Sequence, residues 1–267
     1  MAAAYDLVIR NGLVIDGTGA ERFEADVAIE SGRIAAIGKV DGAGTEEIDA
    51  RGKLVTPGFV DIHTHYDGQA VWSDRLSPSS SHGVTTVVGG NCGVGFAPCR
   101  PEHRALLVSV MEGVEDIPEV VMTEGLSWDW QTYPEYLNAI EARPHDIDFA
   151  SQIPHSAVRV FVMGQRGADR EPATADDLNK MQAIVREAIG VGALGFATSR
   201  LVIHKTGQGD PIPTWQAAES ELEAMALALK DSGKGVLQAV FGESGRTFED
   251  EIDMLSRLTR ASGRPAS

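Results

Sequence analysis

Cysteine, basic residues and long apolar runs are all scarce in this sequence. Its 267 residues include only two cysteines, Cys92 and Cys99, too few for a disulfide scaffold and wrongly spaced for a Cys-x-x-Cys motif. The N-terminus lacks a basic start followed by an apolar core, and no segment approaches the apolar length of a membrane span. We therefore expect a reducing, cytoplasmic location and no membrane contact.

The charge balance excludes further partners. Asp and Glu number 39 against 23 Lys and Arg, which gives a formal net charge of -16. No basic run interrupts this surplus, so nucleic acid and anionic membrane surfaces are electrostatically poor partners. The acidic residues are spread along the chain, and solubility is a sufficient explanation for them.

Hydrophobic periodicity divides the chain near residue 57. Residues 1–56 read as short antiparallel strands, with Asn11-Gly12 and Ser31-Gly32 as hairpin turns, and predict a small β-sandwich portion. Residues 57–267 alternate strands with helices, which is typical of a parallel sheet with crossover helices. The strands are predicted at 59–65, 84–88, 147–153, 193–198 and 236–240.

The alternating part resembles an eight-stranded barrel more than a doubly wound sheet. No Gly-x-Gly-x-x-Gly or Walker-type loop follows its first strand, so a nucleotide site is not indicated. We therefore predict an α/β fold containing an incomplete (β/α)8 barrel of the TIM type. Five strands are counted, and Ser267 lies near the expected start of a sixth. The open edge is expected to meet missing C-terminal strands or a second copy of the chain.

Two histidines stand two residues apart at the end of the first barrel strand. Side chains alternate faces along a strand, so His63 and His65 are predicted to point the same way. Imidazole nitrogen is a common ligand of zinc and similar metals, and two imidazoles supply half of a tetrahedral shell. The alternative is one histidine packed in a core and the other facing solvent.

A thiol follows the second strand, in the segment Gly89-Gly90-Asn91-Cys92-Gly93. Functional groups of such barrels sit at the C-terminal ends of the strands, so Cys92 is expected at the same mouth as the two histidines. A thiolate beside a divalent cation loses its proton at neutral pH, and Cys92 is a candidate third ligand. The alternative is an inert buried cysteine, a common state of free cysteine.

Several strings of this sequence together are similar to one known family. They are Leu54-Val55-Thr56-Pro57-Gly58-Phe59-Val60-Asp61-Ile62-His63-Thr64-His65, Gly90-Asn91-Cys92-Gly93, Pro154-His155-Ser156-Ala157-Val158-Arg159 and Gly192-Ala193-Leu194-Gly195-Phe196. They resemble the amidohydrolase superfamily and, within it, the N-acyl-D-amino-acid deacylases, or D-aminoacylases. The resemblance covers essentially the whole chain and corresponds to the N-terminal part of the family.

The resemblance implies a metal-dependent hydrolase with one or two zinc ions. His63 and His65 match a weaker or second metal position, and Cys92 matches a zinc ligand that replaces the carboxylated lysine of dihydropyrimidinase-like relatives. The implied reaction is hydrolysis of the amide of a small N-acyl-D-amino acid by zinc-activated water. The family's proton-transferring aspartate, at the end of strand eight, is expected beyond Ser267, so no residue of this chain is assigned as general base.

The chain departs from the family pattern on strand five. The segment Gly235-Val236-Leu237-Gln238-Ala239-Val240 has no histidine where the family places a zinc ligand, and the amide of Gln238 is a poor substitute. Two alternatives therefore stay open. One is a dihydropyrimidinase- or hydantoinase-like cyclic amidase, and the other is a truncated fragment without catalysis.

Four further residues are candidates for holding the ligands in place or contacting substrate: Asp67, Asn91, His155 and Gln238. Turn capping explains Asp67 equally well. His155 ends the third strand, where it either lines the site or does not. His204 lies in a polar loop and is expected to face solvent.

Overall fold

The computed structural model describes residues 3–242 and 247–267 of the chain. Contacts between Cα atoms divide the chain into two compact units, Met1–Phe59 and Val60–Ser267. The predicted division into a sandwich portion over 1–56 and a barrel over 57–267 stays a prediction. None of the helices in the described part of the chain has both the length and the apolar composition of a membrane-spanning segment.

The first unit is a five-stranded sheet. Its strands are β1 (Tyr5–Val14), β2 (Phe23–Glu30), β3 (Arg33–Gly38), β4 (Gly44–Asp49) and β5 (Leu54–Val55). The order is β3-β2-β1-β4, with β5 also beside β1. β1 runs antiparallel to β2 and parallel to β4 and β5. Two small apolar clusters, centred on Val8 and Val14, are buried in this unit.

One predicted turn of this unit is wrong and the other is confirmed. Asn11-Gly12 does not end a strand but lies inside β1, where the register with β2 shifts between Ile9 and Gly12. Asn11 has a positive φ of 56°, a conformation that Asn-Gly sequences adopt readily. A β-bulge uses this conformation just as a hairpin turn does, so the dipeptide fits either structure. Ser31 and Gly32 both have positive φ between β2 and β3, as a type I′ hairpin turn requires.

The second unit contains the predicted parallel strands. They are β6 (Phe59–Asp61), β7 (Val84–Gly89), β8 (Asp148–Ser151), β9 (Ile153–Pro154), β10 (Gly195–Ser199) and β11 (Val236–Val240). Hydrogen bonds order them β6-β7-β8 and β9-β10-β11. β8 and β9 belong to one extended segment that is interrupted at Gln152, so the strands follow one another in chain order as in a (β/α)8 barrel.

Residues 265–267 pair with β11 through backbone hydrogen bonds. The Leu237 amide donates to the Pro265 carbonyl at 2.9 Å, and the Ala239 amide donates to the Ser267 carbonyl at 3.0 Å. The isolated bridge between Leu237 and Ala266 is parallel. The expected α/β fold with an incomplete TIM-like barrel is confirmed, since the described residues form parallel strands and helices without closing a barrel.

Helices connect and cover these strands. They are α1 (Gln69–Trp72), α2 (Arg104–Glu115), α3 (Glu119–Gly125), α4 (Tyr133–Glu141), α5 (His155–Met163), α6 (Gln165–Ala168), α7 (Ala175–Val191), α8 (Glu219–Ser232) and α9 (Phe248–Ser262). Thr174 caps α7 and Thr247 caps α9, each in a reciprocal capping box with the aspartate three residues later. The apolar side chains Met181, Val185 and Leu229 lie in the main core.

Candidate metal centre

The two histidines follow β6 rather than lying within it. The strand ends at Asp61, but the chain stays beside β7 because the Thr64 amide and hydroxyl both donate to the Val88 carbonyl, at 3.0 and 2.9 Å. Thr64 is buried against β7, and alternation then turns its neighbours His63 and His65 together to the other side. Their ring centroids are 5.4 Å apart. The predicted common face is therefore present although the predicted strand is shorter.

Cys92 lies in a tight turn directly after β7. Gly90 has a positive φ of 74°. Cys92 also has a positive φ, 54°, which is uncommon for a residue with a side chain. This turn brings the Cys92 sulfur to 3.2 Å from His63 Nε2. One ligand atom each from His63, His65 and Cys92 lies within 4.8 Å of the others. We name these three residues the His-His-Cys cluster.

Three of the predicted positioning residues contact the backbone around this cluster. Asn91 is fully buried and donates to the carbonyls of Thr64, at 3.3 Å, and Val88, at 2.8 Å. Asp67 Oδ1 accepts from the Gly90 amide at 2.6 Å. Gln238 Oε1 accepts from the Cys92 amide at 3.0 Å, which ties β11 to the turn. These bonds fix the segments that carry the cluster, while a role toward metal or substrate stays a prediction.

Replacing Gly90 with alanine is expected to destabilise the chain by about 3 kcal/mol. A Cβ at this position would lie 2.0 Å from the Gln152 carbonyl oxygen, and φ is positive, so strain and overlap add. Gly233→Ala is the matched control, since φ is +67° there and nothing lies within 4 Å of a Cβ. The control should lose only about 1 kcal/mol in urea unfolding. Equal losses in the two variants would contradict the close approach.

His155 lies in a different network. It is fully buried at the start of α5, with Nδ1 2.8 Å from Thr198 Oγ1 and Nε2 2.8 Å from Glu221 Oε1. Arg159 also donates to the Glu221 carboxylate. Both ring nitrogens are thus engaged by core groups, and the structure does not bring His155 into the group of close ligand atoms. Its predicted place at the site remains a prediction.

Two residues near the cluster were not predicted to lie there. Glu115 is the last residue of α2, and its Oε1 lies 3.2 Å from His65 Nε2. His204 was expected to face solvent, but it is half-buried, with Nδ1 2.8 Å from Ser199 Oγ at the end of β10. The loop folds back through a hydrogen bond from the His204 amide to the Leu201 carbonyl, which buries the ring. The sequence did offer one signal for His204, because it follows β10 closely and the ends of barrel strands carry functional groups.

The electrostatics of the site favour a cation. Burial, with help from the charges of Glu115 and Asp67, raises the pKa of the Cys92 thiol to about 12. Burial likewise raises the pKa values of Asp67 and Glu115 to about 7, and burial with the neighbouring His63 and His204 lowers the pKa of His65 to about 4.

The donor set therefore fits a divalent metal. Within the described residues no Lys or Arg pairs with Glu115, and the lowered pKa of His65 leaves that neighbour uncharged at neutral pH. A bound divalent cation would favour thiolate, carboxylate and neutral imidazole at once, and so would act against the raised pKa values of Cys92 and Glu115. Thiolate and imidazole together are ligands that zinc accepts.

Comparison with known proteins identifies the family. The sequence profile of the amidohydrolase family matches residues 46–267. The chain belongs to the amidohydrolase family. An N-acyl-D-glutamate deacylase of Alcaligenes xylosoxydans xylosoxydans is 34% identical over 268 residues, which cover 98% of this amidohydrolase chain and 49% of the relative.

Solved structures agree with this assignment. A crystal structure of D-aminoacylase superposes with a TM-score of 0.77 at 32% identity, over 98% of this amidohydrolase and 50% of that chain. The structure of the N-acyl-D-glutamate deacylase of Bordetella bronchiseptica, complexed with zinc and a phosphonate inhibitor, superposes with a TM-score of 0.75 at 29% identity. It too covers 98% of this amidohydrolase and 50% of that chain. The family and barrel fold expected from the sequence are confirmed. The amidohydrolase chain spans about half the length of these relatives.

Proposed function

We propose that this chain carries the metal-binding part of a zinc-dependent deacylase that hydrolyses the amide bond of small N-acyl-D-amino acids. The observation that carries the proposal is the convergence of His63, His65 and Cys92 within 4.8 Å. Support for the substrate class comes from the relatives, which are a D-aminoacylase and N-acyl-D-glutamate deacylases. The two cysteines of this chain are free and buried, which suits a reducing compartment. On that ground we propose a cytoplasmic location.

The residues of the cluster have distinct tasks in this proposal. His63, His65 and Cys92 would hold one or two zinc ions, and a D-aminoacylase is described with a binuclear metal centre. When bound, zinc supplies a Lewis acid that polarises a carbonyl and activates water at neutral pH. The chain's own contribution is preorganisation, because Asn91 and Gln238 fix the two ligand-bearing segments through buried hydrogen bonds.

Gln238 is better suited to this positioning role than to metal binding. Only the side-chain oxygen Oε1 of Gln238 could face a cation. This oxygen already accepts a hydrogen bond from the backbone N–H of Cys92. β11 is the fifth barrel strand, where the family pattern has a histidine and this chain has Gln238. β11 therefore contacts the cluster through Gln238 but supplies no metal ligand. We assign Gln238 to support of Cys92.

Turnover by the zinc-loaded chain tests the proposal. We expect release of the free amino acid from N-acetyl-D-glutamate or N-acetyl-D-leucine, and little release from the L-enantiomers, measured by chromatography. Cys92→Ala should abolish the release, while Cys99→Ala, which changes a buried cysteine outside the cluster, should keep it. Ring opening of a hydantoin without release from the acyl amino acids would overturn the assignment in favour of a cyclic amidase. No turnover of any substrate would overturn hydrolysis by this chain alone in favour of a fragment without catalysis, and absence of zinc binding would overturn the metal-binding proposal itself.

A further inference from the structure

We propose that His204 is a substrate-binding residue, which donates a hydrogen bond from Nε2 to an oxygen of the N-acyl amino acid. The inference rests on the proposed function, because it takes an N-acyl amino acid as the ligand of the metal centre. The ring of His204 is outside the group of close ligand atoms that defines the His-His-Cys cluster, so we assign it to the substrate and not to the cation.

The hydrogen bonds of Ser199 set the tautomer of His204. Ser199 Oγ accepts from the Leu201 amide at 3.2 Å and lies 2.8 Å from His204 Nδ1. The Leu201 N–H has no acceptor to offer, so within the described part of the chain Nδ1 is the acceptor for the hydroxyl proton. Burial lowers the pKa of His204 below its ordinary value of 6.5, which keeps the ring neutral at pH 7. A neutral ring that accepts at Nδ1 carries its proton on Nε2.

Nε2 is the unoccupied end of the His204 ring. Over residues 3–242 and 247–267 it has no hydrogen-bond partner, and it is open to solvent because the ring is only half-buried. The ring therefore presents one N–H donor that is oriented from its other nitrogen. Carbonyl and carboxylate oxygens are the acceptors for such a donor, and an N-acyl amino acid carries both.

The end of β10 places this donor next to the turn that carries Cys92. A Cβ on Gly93 would lie 2.8 Å from Thr198 Cα and 3.1 Å from the Ser199 amide nitrogen. The glycine thus lets the turn lie directly on the strand end. Ser199 contacts the turn with its backbone and holds His204 with its side chain, so the donor and the thiol are on neighbouring strand ends.

Helix α2 fixes the loop of His204 from its other side. A Cβ on Gly113 would lie 2.2 Å from a backbone carbonyl oxygen of this loop, so helix and loop are in direct contact. The same helix ends at Glu115, whose Oε1 lies 3.2 Å from His65 Nε2. Besides burial, the charges of His63 and His204 lower the pKa of His65, which agrees with a place for His204 beside the cluster.

Two replacements of His204 separate the tasks of its two nitrogens. Asparagine carries an amide near the position of Nδ1 and can still bond to Ser199, whereas glutamine extends an amide N–H toward the position of Nε2. We expect His204→Asn to weaken binding of a substrate analogue to the zinc-loaded chain about ten-fold, which is the size of one hydrogen bond, and His204→Gln to stay within about three-fold of wild type. Zinc affinity should be equal in all three proteins, because His204 is outside the cluster.

Two probes identify the oxygen that is bound. The first is N-methanesulfonyl-D-leucine, a sulfonamide that is not a substrate for amide hydrolysis, and the second is D-leucine, which keeps the carboxylate but lacks an acyl oxygen. Titration calorimetry measures both. A loss with both probes in His204→Asn supports a bond to the carboxylate, and a loss with the first probe alone supports a bond to the acyl oxygen. Wild-type affinity of His204→Asn for both probes would overturn the inference.

Nitrogen NMR of the imidazole checks the tautomer without any ligand. We expect the proton of His204 on Nε2 in the metal-free chain, and a proton on Nδ1 would also overturn the inference. Equal losses in His204→Gln and His204→Asn would overturn it as well, since they would indicate a residue that only shapes the loop. A wild-type chain that binds no zinc, or binds zinc but neither probe, would instead overturn the proposed function itself.

Discussion

The Cys92→Ala variant is expected to bind zinc at least about a hundred times more weakly than the wild-type chain. Loss of a residue that only supports a metal ligand typically costs ten- to a hundred-fold in affinity, and loss of a ligand costs more. The Cys92 sulfur lies 3.2 Å from His63 Nε2, and its removal leaves two imidazoles without the anionic group of the cluster. Competition with a chromophoric chelator measures the change.

Cys99→Ala provides the matched comparison. Both cysteines are free and buried, and burial raises the pKa of each thiol to about 12, but Cys99 lies outside the cluster. Its replacement should leave zinc affinity unchanged. Equal zinc content in wild type and Cys92→Ala after dialysis would remove Cys92 from the ligand set and take the deacylase proposal with it.

The same thiol makes zinc affinity depend on pH. Because the pKa of Cys92 in the metal-free chain is about 12, the thiol is protonated at neutral pH and zinc must displace that proton. Affinity of the wild-type chain should therefore rise with pH between 6 and 8. The Cys92→Ala chain, which has no such proton to release, should show a shallower rise.

The strands and the closeness of His63 to Cys92 were predictable because each has a local signature. Alternation of strands and helices places β7, β10 and β11 to within a few residues, since a buried parallel strand is apolar over its whole length. The chain order of strands in a barrel then brings their ends together, which is why His63 and Cys92 could be paired without coordinates.

Glu115 could not be found in this way. It ends a helix rather than a strand, and glutamate at a helix end is ordinarily a solvated side chain. Its proximity to His65 depends on the close approach of Gly113 to the loop after β10, a long-range contact with no periodic pattern. The Asn11-Gly12 error has a related cause, because the dipeptide specifies a positive φ but does not specify whether the chain reverses or bulges.

Glu221→Gln is expected to destabilise the chain by about 4 kcal/mol, although the residue lies outside the cluster. Glu221 is 1% exposed and accepts hydrogen bonds from His155, at 2.8 Å, and from Arg159, which is also buried. Removing one partner of a buried ion pair leaves a desolvated charge unpaired, and such losses are about 3–5 kcal/mol. Urea unfolding at pH 7 measures the difference.

The control comes from the same helix. Asp231 of α8 pairs with Arg186 at 2.8 Å, but both side chains are largely exposed, so Asp231→Asn should cost less than about 1 kcal/mol. A loss of similar size in the two variants would contradict the assignment of the stabilising energy to burial of the Glu221 network.

Acid titration examines the same network in the wild-type chain. Burial alone would raise the pKa of Glu221, but the hydrogen bond from His155 and the charges of His155 and Arg159 outweigh it and lower the pKa to about 2. A carboxyl with a depressed pKa stabilises the fold fully above its unfolded value of about 4.5 and loses that contribution as the pH falls toward 2. The free energy of unfolding of the wild type should therefore decline between pH 4.5 and 2 by about 3 kcal/mol more than that of Glu221→Gln. Parallel curves of unfolding free energy against pH for the two proteins would show that protonation of Glu221 is not coupled to unfolding.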